Sequence, residues 1–219
     1  MTHHRSRPLA RRAPAAAALG LVALVLAGCG TSGDGTAAAS QAPGAGTGST
    51  ACPTSQPAPL AAGETRTVVI KTSKGDITLK IEGSLSPIAA GNFVALVACG
   101  YYDGVVFHRV VPGFVIQGGD PTGTGNGGPG YSIQDEPVTA TYHRGTLAMA
   151  RSSQPNSQGS QFFIVLADGA AQALASYNTY AIFGEVTAGM EAADAITAAA
   201  DQEIPTNPIV MDSVTVTNP

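Results

Sequence analysis

The sequence predicts a mainly β domain: a closed eight-stranded antiparallel barrel capped by two helices. Two observations predict it. Beyond residue 64, short runs of β-branched and aromatic residues alternate with Gly-rich turns, and only two stretches carry a helix pattern. Before residue 64 the chain is mostly Ala, Gly, Ser, Thr and Pro. Residues 64–219 must therefore supply the core, a length at which roughly 70% of the unfolded chain's surface is buried on folding.

The N-terminal end reads as an address. Arg5, Arg7, Arg11 and Arg12 precede an apolar run, Ala15 to Ala27, that is too short to span a bilayer comfortably. It ends in Leu26-Ala27-Gly28-Cys29, which resembles the lipobox of bacterial lipoproteins. That resemblance implies a lipoprotein signal peptide over residues 1–28, acylation of Cys29, and anchoring at the extracytoplasmic face of the cell membrane. More than one acyl chain is what makes such anchoring stable. Residues 29–63 hold almost no bulky apolar group, so they are expected to form a flexible tether. Residues 64–219 are the expected folded domain.

Within the domain, Arg66–Lys71 and Asp76–Ile81 read as strands joined by the turn Thr72–Gly75. Ser86-Pro87 opens a helix, with Ser as N-cap and Pro at the first helical position. Ile88, Phe93, Leu96 and Val97 share much of one face, and Gly100 stands where the helix stops. Further β runs cover Val105–Val111, Phe114–Gln117, Tyr131–Ile133, Thr146–Met149, Gln161–Leu166 and Ile182–Val186. A second helix is expected from Met190 to about Ala199, and Ile209–Thr217 closes as a strand.

Charge and motif counts exclude several functions. The formal charge is −4, but four of the 11 basic residues are the N-terminal arginines; without them seven bases face 15 acids. Such a domain is a poor nucleic-acid partner. The loop Gly123-Thr-Gly-Asn-Gly-Gly128 neither opens a helix nor precedes a Lys, so it does not read as a phosphate cradle. Ser160 has no base partner in the sequence, and the four histidines lack metal-ligand spacing. No metal and no cofactor are expected.

The densest unusual stretch is Phe107-His-Arg-Val-Val-Pro-Gly-Phe-Val-Ile-Gln-Gly-Gly-Asp120. A turn at Pro112-Gly113 would bring Arg109 on one strand within reach of Gln117 on the next. This stretch resembles the cyclophilin signature. The resemblance continues through Asp135-Glu136, His143, Gly145, Leu147–Ala150, Asn156, Gly159–Ile164 and Phe183-Gly184, and spans about residues 66 to 217. It implies a peptidyl-prolyl cis/trans isomerase acting on proline-containing polypeptides, with secreted or surface proteins as the folding clients.

The resemblance also implies the site. Arg109 is the donor to the proline nitrogen, and Gln117 orients it. Phe114, Val115 and Phe163 line the proline socket, with Tyr180 where a His is common. Gln161 and the backbone of Ala150, Arg151 and Ser152 hold the substrate's main chain. His108 lies beside the arginine, either touching substrate or packing, and Gly125 sits in the loop that approaches the ligand. The chain has no Trp, so Leu174 is the candidate for the rim position, and only weak cyclosporin binding is expected. A monomer is expected. Once Cys29 is acylated, Cys52 and Cys99 remain as a candidate disulfide; the alternative is Cys99 as a small buried hydrophobe. The competing functional reading is a non-catalytic module of the same fold that docks proline segments.

Overall fold

The computed structural model describes residues 51–217. The expected signal peptide, Cys29 and the tether as far as residue 50 lie outside the described residues. Eight strands and three helices follow in order: β1 (Thr65–Thr72), β2 (Gly75–Glu82), α1 (Pro87–Ala98), β3 (Arg109–Val111), β4 (Val115–Gly118), β5 (Thr146–Met149), β6 (Phe162–Val165), α2 (Ala170–Tyr177), β7 (Ile182–Ala188), α3 (Met190–Ala199) and β8 (Met211–Thr217). All pair antiparallel in one sheet of order β3-β4-β6-β5-β7-β2-β1-β8.

The sheet is an open, curled half-barrel, which corrects the expected closed barrel. Its ends, β3 and β8, form no ladder; the segments just before them, 104–107 and 209–211, are joined by three backbone hydrogen bonds around the bridge Val106–Val210. The reason lies in the loop between α3 and β8. Val110 N–H donates to the carbonyl of Glu203 at 2.8 Å, so this loop already occupies the outer edge of β3 where β8 would have to pair. Tyr131–Ile133, expected as a strand, contributes only the bridge Ile133–Gln158.

In the first hairpin, Val68 and Ile70 of β1 and Ile77, Leu79 and Ile81 of β2 face inward and are fully buried, as period-2 alternation requires. Helix α1 packs inside the curl. Phe93 lies 5.1–5.2 Å, centroid to centroid, from the rings of Tyr102, Phe162 and Phe183. Truncating such a core aromatic to Ala costs about 3–5 kcal/mol. Ser86 precedes α1 but its hydroxyl makes no cap bond. The carboxylate of Glu136 does that work from afar, accepting the N–H groups of Ile88 and Ala89 at 2.8 Å each. At the other end Gly100 (φ 78°) lets Gly100 N–H and Tyr101 N–H turn back onto the carbonyls of Val97 and Leu96.

Two features differ from the sequence expectation. A third helix, α2, forms where only two helices were expected, and through Ala170 and Leu174 it covers the outer side of β5 and β6, which are buried on both faces. In addition, the last part of the expected tether lies against the domain. Leu60 is buried and its N–H donates to the Pro87 carbonyl at 2.9 Å. Gln56 accepts Gln134 N–H at 2.9 Å, and the sulfurs of Cys52 and Cys99 are 2.05 Å apart. Gly91 makes the contact feasible: a Cβ there would stand 2.3 Å from the Ala58 carbonyl oxygen.

Candidate active site

The floor of the site is a single cross-strand row. Arg109 on β3 pairs with Gln117 on β4, Gln117 with Phe163 on β6, and Phe163 with Ala148 on β5. Residues directly opposite on neighbouring antiparallel strands project to the same face. The turn that starts this row is Pro112-Gly113, with Gly113 at φ 72° and Phe114 N–H donating back to the Val111 carbonyl at 2.9 Å.

Above the row lies a cavity of about 220 Å³ lined by Arg109, Phe114, Val115, Gln117, Ala150, Arg151, Phe163, Leu174 and Tyr180. Val115, Phe163 and Leu174 are nearly fully buried and make its apolar wall. Tyr180 stands edge-on to Phe163, ring centroids 5.4 Å apart. Its backbone is fixed by the Tyr142 hydroxyl, which donates to the Tyr180 carbonyl at 2.8 Å. A second groove of about 500 Å³ adjoins the first, sharing Gln117, Ala150 and Arg151. Its other walls include Gly125, Ser152 and Gln161.

Arg109 is the one cation lining this cavity that is both half-open and singly tied. Its side chain keeps 32% of its exposure, and its Nε donates to Glu203 Oε1 at 2.7 Å. Among the described residues, neither terminal nitrogen has a hydrogen-bond partner. The residue expected to orient it, Gln117, is its cross-strand pair, and Gln117 Nε2 donates to Gln161 Oε1 at 3.0 Å. Gln161 Nε2 in turn donates to the carbonyls of Gly125 and Gly127, 2.9 Å each. The two glutamines therefore brace the groove and its loop.

Arg151 is a different kind of cation. Its side chain is only 11% exposed and is held by Asp135 at 3.0 Å and by the Gln154 carbonyl at 2.8 Å. The main chain beside it is partly used already. Ala150 N–H donates to the Gln161 carbonyl, and Ser152 N–H to Ser157 Oγ.

The Gly-rich loop is folded around one carboxylate. Asp120, fully buried, accepts the N–H groups of Thr122, Thr124, Gly125 and Gly127 at 2.7–3.1 Å and the hydroxyls of both threonines. Burial pushes its carboxyl up, but the donors of Gly127, Thr122 and Gly125 outweigh this and hold it well below the usual carboxylate range. Gly127 allows the wrap, since a Cβ there would stand 2.0 Å from Asp120 Oδ1. His108 packs under Gly125, lines neither cavity, and among the described residues has no hydrogen-bond partner for either ring nitrogen. Burial lowers its pKa, an effect only partly offset by Asp120.

Sequence reasoning missed Glu203 and the roles of Glu136 and Asp120. Glu203 is 94 residues from Arg109 and carries no local signal. No three His, Cys, Asp or Glu side chains gather as a metal site among the described residues.

Comparison with known proteins agrees with this geometry. Residues 67–216 match the family model described as cyclophilin type peptidyl-prolyl cis-trans isomerase. Peptidyl-prolyl cis-trans isomerase-like 3 of Dictyostelium discoideum is 41% identical over 156 residues, 68% of this chain and 94% of that protein. A longer Streptococcus pyogenes protein, named for phosphatase and peptidyl-prolyl cis-trans isomerase functions, is 52% identical over 102 residues; the match is 45% of this chain and 22% of that protein. The crystal structure of a Cryptosporidium parvum cyclophilin type isomerase superposes with TM-score 0.64 at 37% identity, covering 71% of this chain and 99% of that one. A second structure of that protein was obtained in the presence of the dipeptide Ala-Pro. The chain therefore belongs to the cyclophilin-type peptidyl-prolyl cis-trans isomerases, enzymes whose activity it shares.

Proposed function

We propose that this isomerase acts on exported polypeptides at the extracytoplasmic face of the membrane, and that Arg109 is the group that accelerates the reaction. Rotation about an X–Pro bond faces a resonance barrier of about 18–20 kcal/mol and takes tens to hundreds of seconds unaided. The catalyst needs no nucleophile and no base. It must bind the twisted amide more tightly than either planar isomer.

Twisting localises the lone pair on the proline nitrogen, which becomes an acceptor only then. The terminal N–H groups of Arg109 can donate to it while the proline ring occupies the apolar wall of Phe163, Val115 and Leu174, with Phe114 and Tyr180 at the mouth. Because Arg109 is tied at Nε and its terminal nitrogens are free to face the cavity, the donor is in place before the charge develops. That single arrangement carries the reading. The groove bounded by Gly125, Ala150–Ser152 and Gln161 receives the polypeptide on one side of the proline. The Ala-Pro dipeptide used with the C. parvum relative is a substrate fragment of this class.

Localisation rests on the sequence of residues 1–29 and on the thiol pair. An acylated Cys29 would hold the enzyme at the membrane, and a Cys52–Cys99 bond fits an oxidising, extracytoplasmic compartment. Leu174, the residue matched to the rim Trp position, is buried in the cavity wall and offers neither the area nor the N–H of a Trp, which favours weak cyclosporin binding. The reading is tested with a proline-peptide isomerisation assay: Arg109→Ala is expected to lower the rate about 10²–10³-fold, the loss typical of one preorganised donor. A rate close to wild type in a folded variant contradicts it.

A further inference from the structure

We infer that Glu203 is a positioning residue for the isomerase reaction, fixing the guanidinium of Arg109 through Nε and leaving both terminal nitrogens for the substrate amide. This rests on the reading of Arg109 as the donor to that amide. Three observations support it. Glu203 Oε1 stands 2.7 Å from Arg109 Nε and is the only acceptor that the Arg109 side chain has among the described residues. Gln117, the cross-strand neighbour on β4, donates its Nε2 to Gln161 Oε1 and makes no hydrogen bond to Arg109 among the described residues.

The second observation is a two-point attachment. Glu203 also accepts Val110 N–H through its carbonyl at 2.8 Å, one residue along β3 from Arg109. Carboxylate and guanidinium are therefore referenced to the same short stretch of backbone. The loop around Glu203 is braced in turn, with Thr206 N–H donating to Asp201 Oδ1 at 3.0 Å and Pro205 and Pro208 restricting its φ angles.

The third is exposure. The Glu203 side chain is 58% exposed and that of Arg109 32%. An ion pair in such a setting adds little to global stability. What it does is select one orientation of a long, rotamer-rich side chain whose fork has to point in one direction. An arginine tied through Nε keeps four of its five N–H donors unspent, so the tie does not compete with the substrate for the same hydrogens.

The test measures kcat and KM for a proline-containing peptide in Glu203→Ala, Glu203→Gln, Arg109→Lys and the double variant Arg109→Lys/Glu203→Ala, with thermal unfolding on the same samples. Glu203→Ala is expected to lower kcat about tenfold, within the hundredfold that a misplacement of about 1 Å can cost. KM and the melting temperature stay close to wild type. Glu203→Gln, whose amide oxygen can still accept Nε–H, recovers part of the rate. In the Arg109→Lys background, which has no Nε to hold, Glu203→Ala has no further effect. The Arg109 Nε–H signal in NMR, protected from solvent exchange in wild type, exchanges rapidly in Glu203→Ala.

Wild-type or faster turnover in Glu203→Ala overturns the inference, the faster case marking the pair as inhibitory. An equal loss on adding Glu203→Ala to the wild-type and to the Arg109→Lys background also overturns it, because the effect would then not pass through the guanidinium. If Arg109→Ala itself keeps wild-type turnover, the reading of Arg109 fails. If only Glu203 proves silent, that reading stands and the inference alone is lost.

Discussion

At the scale of single residues, the site depends on charges that are placed rather than merely present. Arg109 and Arg151 both border the proline cavity, yet Arg151 is enclosed by Asp135 and the Gln154 carbonyl whereas Arg109 keeps its terminal nitrogens open. Asp120 is the complementary case, an anion whose charge is spent on holding a loop. Its native pKa is depressed, so its contribution to stability is complete above the unfolded value of about 3.9 and is lost as pH falls through the lower native value. Asp120→Asn turns an amide N–H₂ toward donors and is expected to destabilise the fold by about 1–3 kcal/mol at pH 7. Urea unfolding of both proteins from pH 7 down to 2 checks this: the gap narrows as the pH drops below 4. A gap independent of pH would assign the effect to packing instead of charge. The stretch Phe107–Asp120 made the pairing of Arg109 with Gln117 legible because types, spacing and turn all lie within one hairpin. Glu203 and the role of Glu136 were illegible for the opposite reason: each residue acts on a partner far away in sequence through one exposed or half-buried contact.

At the scale of elements, legibility followed amphipathic contrast. The β1–β2 hairpin, α1 and α3 carry clear periodicity or stop signals and form within one or two residues of where they were expected. Helix α2 does not. Its sequence, Ala-Ala-Gln-Ala-Leu-Ala-Ser-Tyr, has a single large buried apolar residue, Leu174, and Gly169 at its start makes no side-chain cap. It is a helix because it lies on β5 and β6, so tertiary packing decides what propensity leaves open. The segment 51–63 is a similar case, poor in apolar residues yet pinned to the domain by Leu60, Gln56 and Cys52. Closing a loop between residues 47 apart stabilises by about 2–4 kcal/mol in the chain-entropy account. Cys52→Ser/Cys99→Ser is therefore expected to unfold at lower denaturant by that amount, while isomerising peptides at close to the wild-type rate, since neither sulfur borders the cavity. Intact mass of natively exported protein with and without reductant checks the bond itself, and two free thiols would remove it from the account.

At the scale of the whole molecule, eight strands curl far enough to enclose α1 without closing, because the loop bearing Glu203 takes the edge of β3. Sequence alternation located the eight strands, together with a ninth at Tyr131–Ile133 that does not form, but did not foresee that one edge would be claimed by a loop. The same loop supplies the carboxylate on Arg109, so the opening of the sheet and the placing of the guanidinium have one structural cause. The address proposed for residues 1–29 belongs to this scale as well. Cys29→Ser is expected to leave unprocessed, unacylated precursor, and fractionation with lipid labelling reads it; processed soluble wild-type protein without lipid would contradict the anchor. The central claim is that turnover resides in the Arg109 guanidinium while binding resides in the apolar cavity. The most direct measurement is NMR exchange between the cis and trans signals of a proline peptide with catalytic amounts of Arg109→Ala, folded by circular dichroism and able to bind the peptide. The account predicts exchange slowed at least about 100-fold relative to wild type with peptide affinity largely kept; exchange at the wild-type rate would contradict it.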